Sequence, residues 1–166
     1  MFRLSKVILC IVVLALVGIV SADVQTFDTS YGKVQLDVPQ NYVAKEPSST
    51  GVLQLVEPGS EKPIISVALD DVKIFGADLV QYAAMHFGEG KSYTEVQTDD
   101  GHRMLFYAFK EYGDIYSYSG IIDYTKDKGL IIDVFGRSET VAYGKILATF
   151  GEDEFLTICK SFAFVE

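Results

Sequence analysis

From Val24 to Phe135 apolar and polar residues alternate over most of the chain, and short runs of Gly, Pro, Asp and Ser interrupt the pattern. A period of two puts successive side chains on opposite faces of an extended backbone, so this pattern commits most of the chain to strands with a buried face. Lys33 to Val38 shows it most cleanly, with Val34, Leu36 and Val38 set against Lys33, Gln35 and Asp37. That strand pairs with Val24 to Asp28 as a hairpin about Tyr31-Gly32, and Pro39, which has no amide hydrogen for a ladder, ends it. After the polar stretch Glu46 to Gly51, Val52 to Val56 and Ile64 to Leu69 form a second pair across a loop rich in Pro, Gly and Glu.

One helix follows. Asp78 is its N-cap, and Gln81 three residues later completes a capping box. Leu79, Tyr82, Ala83 and Phe87 share a face, and Gly88 and Gly90 stop the helix. Four strands then make a meander: Tyr93 to Thr98, Arg103 to Phe109, Ile115 to Tyr124 and Leu130 to Phe135. Asp99-Asp100-Gly101 is the strongest turn signal among them. Residues 139–150 are ambiguous, with a helix the reading offered. Glu152 to Ser161 is a closing helix whose first-turn acids suit the positive end of the helix dipole, and Phe162 to Val165 is a short last strand. The expected fold is α+β, an antiparallel β-sheet of about six to eight strands with two or three helices packed on it.

The N-terminus gives an address. Arg3 and Lys6 precede an apolar run from Val7 to Val20, and Val20-Ser21-Ala22 offers tolerated residues at a cleavage site. That is the layout of a secretory signal peptide over residues 1–22, with residues 23–166 as a single α+β domain. The run is shorter than the roughly 20 residues that cross a bilayer, so an uncleaved membrane anchor is the alternative. The chain has 14 Lys+Arg and 23 Asp+Glu, a formal charge of −9; losing Arg3 and Lys6 leaves 12 against 23, or −11. A surface of that sign repels nucleic acid and anionic lipid. Of the two cysteines only Cys159 lies beyond residue 22. It falls on an apolar face with Phe155, Ile158 and Phe162, which suits a small buried hydrophobe.

This order of elements resembles the PsbP/Mog1-like fold. The matching features are the hairpin ending Val38-Pro39 with an aromatic at Tyr42, the helix from Asp78, the meander, and the last helix running into Ser161-Phe162-Ala163-Phe164. Tyr42 stands where such chains often carry Trp. The resemblance implies a PsbP/Mog1-like sandwich and an accessory or binding role rather than catalysis; it carries over no ligand-binding residue.

No motif supplies a catalytic or metal site. Gly88-Glu89-Gly90-Lys91-Ser92 ends like a phosphate loop, but Met85 stands where the pattern needs Gly, and it follows a helix rather than opening one. Asp123, Thr125, Asp127, Gly129 and Asp133 echo a calcium loop, with Val134 at the place of the bidentate Glu. His86, His102 and Cys159 show no zinc spacing. His86 reads as a core-edge histidine beside Tyr82. His102 reads as a turn residue whose charged form nearby carboxylates favour.

Tyrosine is the remaining lead. Tyr116, Tyr118 and Tyr124 share one strand face with Gly120, and Tyr107 and Tyr112 lie close in sequence. Two readings stay open: a helix packed over that face, or an exposed platform for a protein or carbohydrate partner. The expectation is an exported, extracytoplasmic binding or accessory protein of the envelope with no metal, no cofactor and no nucleic-acid partner. It touches a membrane only if its N-terminal segment stays uncut. The alternatives are a small exported hydrolase built on scattered carboxylates and His102, or a membrane-anchored structural component of the envelope.

Overall fold

The structure is a computed structural model and describes residues 22–45, 53–71, 78–142 and 144–166. Residues 1–21 of the expected leader lie outside them, and Ala22 opens the first strand. Among the described residues the chain forms three antiparallel sheets and two helices.

The hairpin of β1 (Ala22–Thr29) and β2 (Gly32–Pro39) forms as read, with Phe27 opposite Val34. It does not join the main sheet. Pro39 ends β2, and the Tyr42 amide donates to the Pro39 carbonyl at 2.9 Å, which turns the chain away. The other edge of β2 is taken by the last strand, Ala163–Val165, so these three strands form a sheet of their own. The single expected sheet is therefore corrected to three.

Main-sheet strands follow in the order β3 (Val43–Lys45), β4 (Leu53–Val56), β5 (Ile65–Asp71), β6 (Thr94–Gln97), β7 (Arg103–Tyr112), β8 (Ile115–Tyr124) and β9 (Leu130–Arg137). Their spatial order is β3-β4-β5-β9-β8-β7-β6. Helix α1 (Leu79–Phe87) connects β5 to the far edge strand β6, and the meander then walks back to β5. β10 (Glu139–Ala142) and β11 (Lys145–Thr149) pair as a separate hairpin where a helix was expected. Gly144 takes φ 75° at the tip, a left-handed conformation that ends any helix there. Helix α2 (Glu152–Ser161) and strand β12 (Ala163–Val165) close the chain.

Register makes one face of the main sheet a continuous apolar layer. Val67, Val134, Gly120 and Phe106 lie across from one another, as do Leu69, Ile132, Ile122 and Met104 one row along. Val34, Leu36 and Val38 from β2 and Phe155, Ile158, Cys159 and Phe162 from α2 and its cap complete that core. The helix sits so close that the sheet has glycine at its two tightest points. A Cβ on Gly120 would lie 2.8 Å from Cys159 Sγ, and one on Gly136 would lie 2.7 Å from Phe155 Cε2.

Candidate functional site

The five tyrosines do not form one surface. Tyr118 and Tyr124 are buried on the face that α2 covers, Tyr118 among Phe106, Phe150 and Phe155, and Tyr124 against Phe162 and Phe164. Tyr116 is half-buried and stacks on Tyr118 at 6.1 Å. Tyr107 is buried on the opposite face of the sheet, and Tyr112 is 83% exposed at the β7–β8 turn. The exposed platform is thus corrected in favour of the helix-covered reading. Gly120, on that same face, is where Cys159 packs.

The opposite face is covered differently. α1 begins with the expected capping box: Asp78 accepts from the Gln81 amide at 2.8 Å, and Gln81 reaches back to the Asp78 amide. Gly88 caps its other end at φ 84°, which accounts for the Gly-rich run as a helix stop. The helix has only nine residues. Leu79, Tyr82 and Ala83 seal Leu105, Tyr107, Ile121 and Ile131 beneath them. Tyr82 also donates to Asp70, and Ser119 Oγ donates to Asp133 Oδ1 at 2.9 Å. Burial raises the Asp133 carboxyl above its ordinary range.

Past the C-terminal end of α1 the sheet is left open. Phe87 packs on Tyr107 at 4.9 Å and on Phe109 at 5.1 Å, and Tyr93 packs on Tyr107 at 5.6 Å. Phe87, Phe109 and Phe135 line a shallow pocket of about 260 Å³, with Ser117 also in its wall and Lys91 and Glu111 on its rim. Phe135 is 42% exposed and Tyr93 is 43% exposed. Arg137 pairs with Glu111, which also accepts from Ser117. This aromatic shelf was missed in the sequence. Its signal was there: Leu130-Ile131-Ile132 and Met104-Leu105-Phe106 are apolar in both phases, so neither face of those strands is purely solvent-facing.

His102 sits in a polar network elsewhere, at one end of the sheet. Its ring stacks on Tyr124 with centroids 3.7 Å apart. Nε2 lies 2.8 Å from Asp127 Oδ2, and Nδ1 makes a 3.0 Å ion-pair contact with Asp100 Oδ1 outside hydrogen-bond geometry. Thr98 Oγ1 and Tyr124 Oη each donate to Asp100 at 2.5 Å. Burial opposes the charge on His102, but the Asp100 and Asp127 carboxylates outweigh it and raise its pKa. Carboxylates beside both ring nitrogens favour the charged form of the imidazole. The network ties the β6–β7 turn to the β8–β9 turn, and it offers a base only once that cation is lost.

The other singled-out residues have structural partners. Asp123 accepts from the Thr125 amide at 2.9 Å, a local turn bond. Asp127 turns to His102, and Asp133 lies on the α1 face, so the residues of the calcium-loop echo diverge. His86 is exposed rather than at the core edge and rests on the Tyr82 ring at 4.3 Å. Cys159 is free and fully buried, and burial holds its thiol well above the ordinary range, away from the reactive thiolate. Among the described residues no helix is long and apolar enough to cross a membrane. No family model matches the chain, and no curated protein matches it.

Proposed function

We propose that this chain is an exported binding or accessory protein of the cell envelope or extracellular space, working without chemistry, and that it holds a partner polypeptide on the aromatic shelf beyond α1. The observation that carries this reading is the half-covered second face of the main sheet, where Phe87, Phe109 and Phe135 line an open pocket. Aromatic side chains that keep a rim of charge are the usual anchors of protein interfaces. Lys91 and the Glu111–Arg137 pair put both signs of charge at this rim, which suits a polypeptide better than a neutral sugar. Export rests on the layout of residues 1–22, and the PsbP/Mog1-like assignment rests on the order of elements; both belong to this proposal.

The test is the size of the native assembly. The protein purified from the cells that make it, without denaturant, is compared with its Phe135→Asp variant by gel filtration and mass spectrometry. The reading expects a stoichiometric second polypeptide on the wild type, its loss from the variant, and a variant that still unfolds cooperatively. A wild type that runs alone, or one that carries a glycan and no polypeptide, contradicts it. N-terminal sequencing of the same sample tests the leader: Asp23 as the first residue supports a cut after Ala22, and Met1 contradicts it.

A further inference from the structure

Strand β7 outruns the strand beside it. It has ten residues, Arg103–Tyr112, but β6 pairs only with Arg103 to Phe106, and Thr94 is the last residue to do so. On its inner edge β8 accompanies it as far as Tyr112. Among the described residues no strand lies against its outer edge beyond Phe106. The Thr98 amide donates to the His102 carbonyl at 2.9 Å, which sets the phase of the ladder. Val96 with Met104 and Thr94 with Phe106 are its next hydrogen-bonded pairs, because such pairs alternate along an antiparallel ladder. Tyr107 and Phe109 therefore turn their amides and carbonyls to β8, and Ala108 and Lys110 turn theirs outward. Among the described residues those outward groups have no hydrogen-bond partner. A bulge between Lys110 and Tyr112 ends the free stretch.

The surface is concave on both sides of this edge. On the α1 side Phe109 leads onto the aromatic shelf with Phe87. On the α2 side Tyr93, Phe106, Ala108 and Glu152 help to line a pocket of about 200 Å³. Glu152 has no ion-pair partner among the described residues. Ala108 is exposed and carries only a methyl group, so its side chain leaves the backbone open. Free ladder groups with a pocket on each side of the pleat are what an added strand uses: main-chain bonds hold it, and alternate side chains go to opposite faces. On the partner-binding reading of the shelf given above, we infer that the outer edge of β7 from Ala108 to Lys110 is a strand-addition site, where a segment of the partner polypeptide lies extended in line with β6. Its residue opposite Ala108 enters the pocket beside Glu152, which favours a basic side chain. Its residue opposite Phe109 lies on the shelf, which favours an apolar one.

Hydrogen exchange resolved to single amides, compared between the free chain and the native assembly, is the test. The Ala108 and Lys110 amides are expected to exchange freely in the free chain and about tenfold or more slowly in the assembly, while Tyr107 and Phe109, bonded to β8, are slow in both. Ala108→Pro is the second arm. It deletes an outward donor and leaves the β8 ladder whole, a change that an edge strand accommodates. The variant is expected to unfold cooperatively and to run without the second polypeptide; should it not fold, the exchange pattern of the wild type decides alone. An assembly in which both amides stay as fast as in the free chain, or one that Ala108→Pro leaves intact, overturns strand addition and leaves the shelf reading standing. An assembly of this chain with itself, slowed at the same amides, overturns the assignment to a different polypeptide. A wild type that runs alone overturns the shelf reading and this site with it.

Discussion

The two faces of the seven-stranded sheet are built from similar residues and closed to different degrees. One face lies under α2 and the three-stranded sheet, with Phe155, Cys159 and Phe162 fully buried and glycine wherever helix and sheet nearly touch. The other lies under α1, which seals four sheet residues and stops at Gly88, leaving Phe135 and its neighbours open. A large apolar residue costs nothing special on a surface when it stands alone, but a contiguous aromatic group beside a short helix marks a place where something else can pack. The sealed face holds the main core, and the half-sealed face is the one proposed above as an interaction surface.

The sharpest way to break this contrast is to truncate one aromatic on each face. Phe155→Ala empties the closest-packed part of the core and should cost about 3–5 kcal/mol of unfolding free energy. Phe135→Ala removes a side chain already in contact with water and should cost about 1 kcal/mol or less. Denaturant unfolding of the two variants checks both; similar losses would mean that the faces are equally closed. Gly136→Ala comes next. Its new Cβ meets Phe155, Phe150 and Ile65 at 2.7, 3.0 and 3.1 Å, so overpacking should cost about 1–3 kcal/mol.

Loss of the helix cap acts on the other face alone. Asp78→Ala removes the side-chain acceptor that the capping box gives the Gln81 amide and should cost ~1 kcal/mol. Hydrogen exchange should then quicken in α1 and in β7 beneath it, and stay unchanged in α2.

The smallest expected effect is the pH dependence of the His102 network, which belongs to neither face. The folded pKa of His102 is raised, so its contribution is fully present below the ordinary histidine value and is lost as pH rises through the folded one. Asp100 works in the opposite sense. Burial opposes its ionisation, but bonds from Thr98 and Tyr124 and the charge of nearby His102 hold its pKa below the ordinary range, so its share disappears as acid protonates it. The unfolding midpoint should therefore be higher near about pH 6 than near about pH 8.5, and His102→Gln should flatten that difference while leaving both faces as they are.

Local chemistry explains how much of this was legible in the sequence. The cap of α1 is written within four residues, and the span of α2 follows from its acidic start and its apolar spacing. The first hairpin is fixed by its alternation and by Gly32, which takes φ 121° at the turn. What could not be read depends on pairings made at a distance. Ala163 takes the edge of β2 opposite Gln35, and this sets the first hairpin apart from the main sheet it was expected to join. Residues 139–150 contain Val, Ala and Lys in an order that suits a helix as well as a hairpin, and only pairing with each other decides for strands. The neighbour of Asp100 was visible to His102 in the sequence, whereas Asp127 arrives 25 residues later through the meander. For the tyrosines the sequence left two readings open, and the strand phase of Tyr118 and Tyr124 faces α2.

Covalent labelling with hydroxyl radicals tests the central claim most directly, applied to the protein both alone and in its native assembly. The account predicts that Phe135 and Tyr93 are modified in the free chain and protected in the assembly, while Phe155 and Phe162 stay unmodified in both. Equal labelling of Phe135 and Tyr93 in the two states, or labelling of Phe155 and Phe162 in the free chain, would contradict it.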